Sequence, residues 1–131
     1  MLVKTFGAAV FGIDASTITI EVNLAQGINF FLVGLPDSAV KESQQRIKAA
    51  FSNNDFRFPG KEITINMAPA DVRKEGSVFD LPIAIGILAS SDQLPNDKLG
   101  DYIVLGELSL DGKLNPLKGV LPIALNAKKD G

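Results

Sequence analysis

The segment Ser16–Ala25, STITIEVNLA, alternates apolar and polar residues without a break. Ile18, Ile20, Val22 and Leu24 fall on one side, and Thr17, Thr19, Glu21 and Asn23 on the other. A period of two fits a half-buried β-strand and no helix. Such a strand needs partner strands and an apolar layer over one face. Lys61–Pro69, KEITINMAP, alternates in the same way, with Ile63, Ile65 and Met67 pointing inward. Leu81–Ser90 reads as a helix that is apolar nearly all round, and therefore as the most buried helix of the chain. Pro82 is tolerable there because first-turn N–H groups have no helical partner.

The remaining elements follow from the same signals. Val3–Phe11 is an apolar, small-residue strand. Ile28–Leu35 reads as a more buried strand, joined to the one before it by a short hairpin at Gln26-Gly27. A single helix then runs through Ser38–Ser52, capped by Asp37 or Ser38, with Val40, Ile47, Ala50 and Phe51 on one face. Tyr102–Leu110 reads as a strand, and Asp111-Gly112 as a hairpin turn into a returning strand. A last helix begins near Lys118 and stops in mid-pattern after Lys128-Lys129. That stop leads us to expect a single domain, residues 1–131, truncated from a longer chain. The order β-β-β-α-β-α-β-β-α fits an α+β domain with a mixed or mostly antiparallel sheet and helices packed on one face.

The 131 residues are 46% hydrophobic, enough for a substantial core. A formal net charge of −2 argues against a dedicated nucleic-acid binder while leaving room for a local basic patch. With neither cysteine nor histidine, disulfides and thiolate sites are excluded. Any general base would have to be Lys, Asp, Glu or Tyr102. The longest strongly apolar run, Leu81–Ala89, is too short to span a bilayer. The N-terminal stretch is broken by Gly7 and Gly12, so it reads as a strand and not as a signal peptide. A cytoplasmic protein without a membrane partner is expected.

Four stretches, FGIDASTITIEVNLAQG, FFLVGLPDSAVKESQQRIKAAF, ITINMAPADVRKEGSVFDLPIAIGILAS and LGELSLDGKLNPLKGVLPIAL, occur in order over nearly the whole chain. Together they resemble the opening segment of the magnesium-chelatase-like AAA+ ATPases of the competence protein ComM (YifB) family. The resemblance implies a fold similar to the Lon protease domain and to the second domain of ribosomal protein S5. It implies a non-proteolytic module ahead of a hexameric ATPase linked to DNA branch migration. It places ATP and magnesium on that downstream domain and no cofactor on this one. The implied partners are the chain's own ATPase domain, further copies of itself, and DNA.

Lon proteases activate a serine with a nearby lysine that has been desolvated enough to lose its proton. Aligned on the glycine before the Lon serine, the stretch Lys74-Glu75-Gly76-Ser77-Val78 places Val78 at the nucleophile position, with Ser77 one residue early. The position of the Lon lysine falls on Leu121. Both dyad positions are therefore apolar. Ser77 reads as a helix-start or loop hydroxyl and Lys118 as a solvated residue at a helix start, and a divergent Ser77–Lys118 hydrolase remains the enzyme alternative. Gly106–Leu114 brushes against a phosphate-binding loop, but the glycine spacing is one residue too long and Leu114 stands where Ser or Thr is required. Glu75, Asp80 and Glu107 invite a magnesium reading, with Asp80 also available as a helix N-cap. For DNA or partner contact the candidates are Arg57, Lys61, Arg73, Lys74, Lys113 and Lys118, with Phe56 and Phe58 as possible stacking platforms.

Overall fold

The computed structural model describes residues 1–117 and 119–131. Strands β1 (Leu2–Phe11) and β2 (Asp14–Ala25) form a long antiparallel hairpin around the two-residue loop Gly12-Ile13. Strand β4 (Glu62–Ala68) runs antiparallel to β2, and β3 (Phe30–Val33) runs parallel to β4. The sheet order is β1-β2-β4-β3, so the sheet is mixed. The alternation holds: Ile18, Ile20, Val22, Ile63, Ile65 and Met67 are all buried.

Two expectations about β3 fail for one reason. Gln26-Gly27 makes no hairpin between β2 and β3, because β4 occupies the place beside β2. β3 is the short edge strand, with Phe31 46% and Val33 49% exposed, and not the more buried one. The central place goes to the strand with the complete apolar alternation, since a central strand offers its whole buried face to the core. The parallel pairing of β3 with β4 then requires a crossover, and the helices between them supply it.

That crossover is two helices and not one. Helix α1 (Ser38–Lys41) is capped by Asp37, whose Oδ1 accepts from the Val40 N–H at 2.8 Å. A tight turn, in which the Gln45 N–H donates to the Glu42 carbonyl, separates α1 from α2 (Ser43–Ser52). Helix α3 (Asp80–Ser90) lies across β1 and β2 and is buried along nearly its whole length. Ile83 and Ile87 meet the sheet, and Ile47 and Phe51 of α2 complete the same core.

Tyr102–Leu110 is not one strand. It is shared among three neighbours. The Val104 N–H donates to the Phe6 carbonyl on the edge of β1, and the Gly106 N–H donates to Val78 at the start of α3. Only Glu107–Leu108 (β5) pairs as a strand, with Leu114–Asn115 (β6), around the expected turn at Asp111-Gly112, where Gly112 has φ +92°. Helix α4 (Val120–Asp130) follows. The layer formed by α2 and α3 covers one face of the sheet as expected. Helix α4 adds cover on the reverse side, where Thr17 donates to Asp130 at 2.8 Å. Thr17 points away from Ile18, so the two contacts lie on opposite faces.

Gly86 marks the closest approach of α3 to the sheet, since a Cβ there would lie 2.6 Å from Val22 Cγ2. Helix propensity favours alanine over glycine by about 1 kcal/mol, but overpacking a tight core costs about 1–3 kcal/mol. Gly86→Ala should therefore lower the thermal midpoint despite its better propensity. Adding Val22→Ala, which opens the space, should make Gly86→Ala less harmful than it is alone. A double-mutant cycle by thermal denaturation checks this coupling.

Candidate functional site

The loop between β4 and α3 is fastened at several points. The Lys74 N–H donates to the Leu35 carbonyl at 3.0 Å, and the Asp37 N–H donates to the Lys74 carbonyl at 2.9 Å. The second oxygen of Asp37 accepts from the Gly76 N–H at 3.0 Å. One aspartate thus caps α1 and ties down the loop that leads to Ser77. The Lys74 side chain folds inward, is fully buried and donates to the Pro69 carbonyl. Burial lowers its pKa from the ordinary 10.5, opposed by the charge of Asp71.

Beyond the loop, Ser77 Oγ donates to one carboxylate oxygen of Glu107, and Asn115 Nδ2 donates to the other at 3.0 Å. These bonds favour the ionised form and lower the pKa of Glu107. Behind them lies a buried ion pair. Arg46 donates to both oxygens of Asp80, at 2.7 and 2.9 Å, and to the Ala39 carbonyl at 2.7 Å. Asp80 Oδ2 also accepts from the Leu108 N–H at 3.1 Å. The hydrogen bond to Asp80 raises the pKa of Arg46. Ser77 and Glu107 open onto a cleft of about 520 Å³. Ala8, Val10, Phe11, Val78, Leu117 and Ile123 give it apolar walls, and Arg73 and Glu75 stand at its polar side.

This geometry sorts the residues singled out from the sequence. Ser77 lies in the cleft, but its hydrogen bonds to a carboxylate of lowered pKa, which is a poor acceptor for a hydroxyl proton. Val78 packs partly buried against the core, and Leu121 is 69% exposed on α4. Lys118 lies outside the described residues. The carboxylates Glu75, Asp80 and Glu107 are separately engaged: Glu75 with Arg73 at 3.0 Å, Asp80 with Arg46, and Glu107 with Ser77 and Asn115. No group of three His, Cys, Asp or Glu is placed to hold a metal ion among the described residues. Asp80 is not the N-cap of α3. Phe79 holds that position, and Asp80 is the first helical residue.

Among the DNA or partner candidates, Lys74 must be withdrawn. It is 0% exposed, because its side chain turns under the loop instead of outward. Arg57 and Lys61 are exposed and share a cleft of about 450 Å³ with Ser90 and Gln93, at the C-terminal end of α3. Arg73 lies near the opposite end of that helix, and an 11-residue helix is about 16 Å long. Exposed Lys113 sits in the β5–β6 hairpin. The basic residues therefore fall into separate groups and not one stripe. Phe58 packs against Phe30 and Phe51 with Lys48 over its ring, which makes it a core contact and not an open platform. Phe56, 39% exposed, leans on Phe51. The Arg46–Asp80 pair was not picked out from the sequence. The available signal was a carboxylate at the head of an otherwise apolar, buried helix, which requires a cationic partner.

A mixed-sheet α+β frame with a braced loop-to-helix corner is the Lon-like, S5 domain 2-like class. Residues 20–131 match the family described as subunit ChlI of Mg-chelatase, and the chain belongs to that family. It is 49% identical over 129 residues to the competence protein ComM of Haemophilus influenzae, a match covering 98% of this chain and 25% of that protein. It is 45% identical over 124 residues to the uncharacterized protein YifB of Escherichia coli, covering 94% and 24%. An uncharacterized Mycobacterium tuberculosis protein is 40% identical over 129 residues, covering 98% and 26%. The chain thus spans about a quarter of the length of the curated relatives it matches. No helix of the described residues is long and apolar enough to cross a membrane.

Two outcomes follow from the buried charges. Asp80→Ala leaves Arg46 without its partner and the Leu108 N–H without its acceptor. It should cost about 3–5 kcal/mol, read as a lower urea midpoint. Lys74 titrates lower in the folded chain than in the unfolded one. Between its folded value and the ordinary 10.5, the unfolded chain holds more protons, so the unfolding free energy rises with pH across that window. The cost of charging buried Lys74 is fully present below its folded pKa and is relieved as pH climbs through it. Lys74→Met should remove that part of the rise. Urea midpoints measured for both proteins across the window check it, and parallel curves would count against it.

Proposed function

We propose that this chain is a catalytically silent domain of a longer magnesium-chelatase-like AAA+ ATPase. Its work is to organise the oligomer or to guide DNA for an ATPase domain that lies elsewhere in the parent protein. The observation that carries the silent reading is the Ser77–Glu107 hydrogen bond. A serine nucleophile needs a base that will take its proton. Glu107, held ionised by two donors, serves as a brace instead, and the positions aligned with the Lon dyad hold Val78 and Leu121. Membership of the ChlI family and the similarity to ComM and YifB support the ATPase context. The share of those relatives that lies outside the match leaves room for it. In this reading ATP and magnesium belong to the ATPase domain, the parent is a cytoplasmic hexamer, and DNA branch migration in recombination or transformation is its task.

A second reading, direct DNA contact by this domain, draws its support from Arg57 and Lys61, which share one cleft and are both exposed. The hydrolase reading retains Ser77 and Lys118 as its only residues.

A serine-reactive fluorophosphonate at high concentration should leave the chain unlabelled. Labelling that disappears in Ser77→Ala would restore the hydrolase. Anisotropy with a labelled single-stranded oligonucleotide tests the second reading. Binding that weakens with salt and is lost in Arg57→Glu/Lys61→Glu would favour DNA contact by this domain. Salt-independent or absent binding would leave DNA guidance to the rest of the parent.

A further inference from the structure

The two edges of the four-stranded sheet are unlike. On the outer side of β1 the Phe6 carbonyl accepts from the Val104 N–H, so the segment before β5 lies along that edge. The other edge is β3. It runs parallel to β4, with Phe30 opposite Ile63 and Leu32 opposite Ile65, and the Ile63 N–H donates to the Asn29 carbonyl. In a parallel ladder that bond turns the peptide groups of Phe31 and Val33 toward β4, and those of Phe30 and Leu32 outward. Among the described residues, no backbone partner meets the outward N–H and C=O groups of Phe30 and Leu32.

Sheets protect an open edge with charged side chains, proline, a bulge or a covering segment. This edge has neither charge nor proline from Ile28 to Leu35. It lies within Val22–Pro36, the longest charge-free run in a chain of which 21% of residues are charged. Ile28 is 92%, Phe31 46%, Val33 49% and Leu35 54% exposed. Phe30 and Leu32 pack against the core, so Phe31 and Val33 stand on the reverse face. Helix α4 on that face contacts β1 and β2.

Two outward residues thus flank one half-exposed aromatic. A second copy lying antiparallel about a two-fold axis at Phe31 would set Phe30 of each copy against Leu32 of the other. Both pairs would then exchange two hydrogen bonds. Phe31 would face its own counterpart in the closer position between them, where an aromatic pair stabilises a ladder. The exposed Ile28 end of each strand would meet the exposed Leu35 end of the other. With no charged residue in either strand, two copies meet there without repulsion.

We propose that β3 pairs with β3 of a second copy of this chain, joining two four-stranded sheets into one of eight strands. The pairing gives a surface to the oligomer-organising role proposed above, and rests on that reading for its place in the parent protein. A two-fold contact closes after two copies, so it links subunits in pairs and does not by itself build a ring. The strand is short, so the interface is small and the pair weak.

Sedimentation equilibrium over a series from about 10 μM to about 1 mM covers the range in which weak pairs populate. The mean mass should rise from that of one chain toward that of two. Phe31→Lys and Phe31→Glu should each keep the chain monomeric throughout, since each sets like charges face to face. An equal mixture of the two variants should regain the dimer, because only there do opposite charges meet. That rescue requires residue 31 to face itself. Leu125→Lys, on the exposed side of α4, should change nothing. Thermal melts establish that the variants remain folded. The unsubstituted chain supplies a second reading: amide exchange at Phe30 and Leu32, followed by NMR, should slow about tenfold between the ends of the series. A chain that stays monomeric overturns the proposal and leaves the edge to another segment of the parent, while the silent-domain reading, which rests on Ser77, is untouched. A dimer that survives both single substitutions, a mixture that stays monomeric, unchanged exchange at Phe30 and Leu32, or a dimer dissociated by Leu125→Lys overturns it as well.

Discussion

Arg46 and Asp80 join four elements at the loop-to-helix corner, α1, α2, α3 and β5. Arg46 belongs to α2 and reaches Ala39 in α1, and Asp80 opens α3 and receives the Leu108 N–H from β5. Asp80 is fully buried, while the Arg46 side chain keeps 22% of its surface. A lone carboxylate in that position would be costly, so the pair is indispensable once Asp80 is there, even where an apolar substitute would give equal stability. Its contribution is direction. Two parallel N–H···O bonds hold the guanidinium and the carboxylate in one relative orientation. That orientation sets the start of α3 against the β5–β6 hairpin. The placement of Ser77, three residues earlier, and of Glu107, next to Leu108, follows from it.

The polar groups at this corner brace one another and the loop. Asp37 caps α1 and holds Gly76, Lys74 clasps Pro69 from beneath, and Ser77 and Asn115 hold Glu107. Each of these groups resembles a catalytic component taken by itself: a buried lysine with lowered pKa, a serine at a helix start, a carboxylate in a cleft. A lysine activates a serine only where the two can exchange a proton. The amine of Lys74 donates to the Pro69 carbonyl, and the Ser77 hydroxyl donates to Glu107.

Much of this fold was legible in the sequence because it is written in period two. Ile18–Leu24 and Ile63–Met67 each present an uninterrupted apolar face, and both strands formed where expected. The Asp111-Gly112 turn was equally legible, since a two-residue hairpin has few solutions. The misreadings share a cause. The order of strands in a sheet is decided by competition among strands, so β4 displaced β3 from the side of β2 although β3 is nearer in sequence. Tyr102–Leu110 has strand composition, yet its hydrogen bonds are divided among β1, α3 and β6, a partition that local pattern does not encode. At the site, the resemblance located the corner and Ser77, but Lys74 was taken for a surface charge. Its inward turn depends on the pinning of the loop by Leu35 and Asp37, nearly forty residues upstream, which no local signal reveals.

The same constraint governs how the elements meet at the corner. The corner is where α3, the crossover helices and the β5–β6 hairpin must meet, and their apolar faces leave few ways of doing so. Gly86 against Val22 and Gly106 against Leu81 admit no Cβ without movement of a neighbour, so helix and sheet are held at a fixed distance. Charges and hydroxyls at the junction must then be paired where they stand, because burial without partners is prohibitive. The junction needs hydrogen-bonded partners, and Ser77 and Glu107 meet that need. The cleft beside the junction is a consequence of the same packing, with apolar walls and one oriented carboxylate.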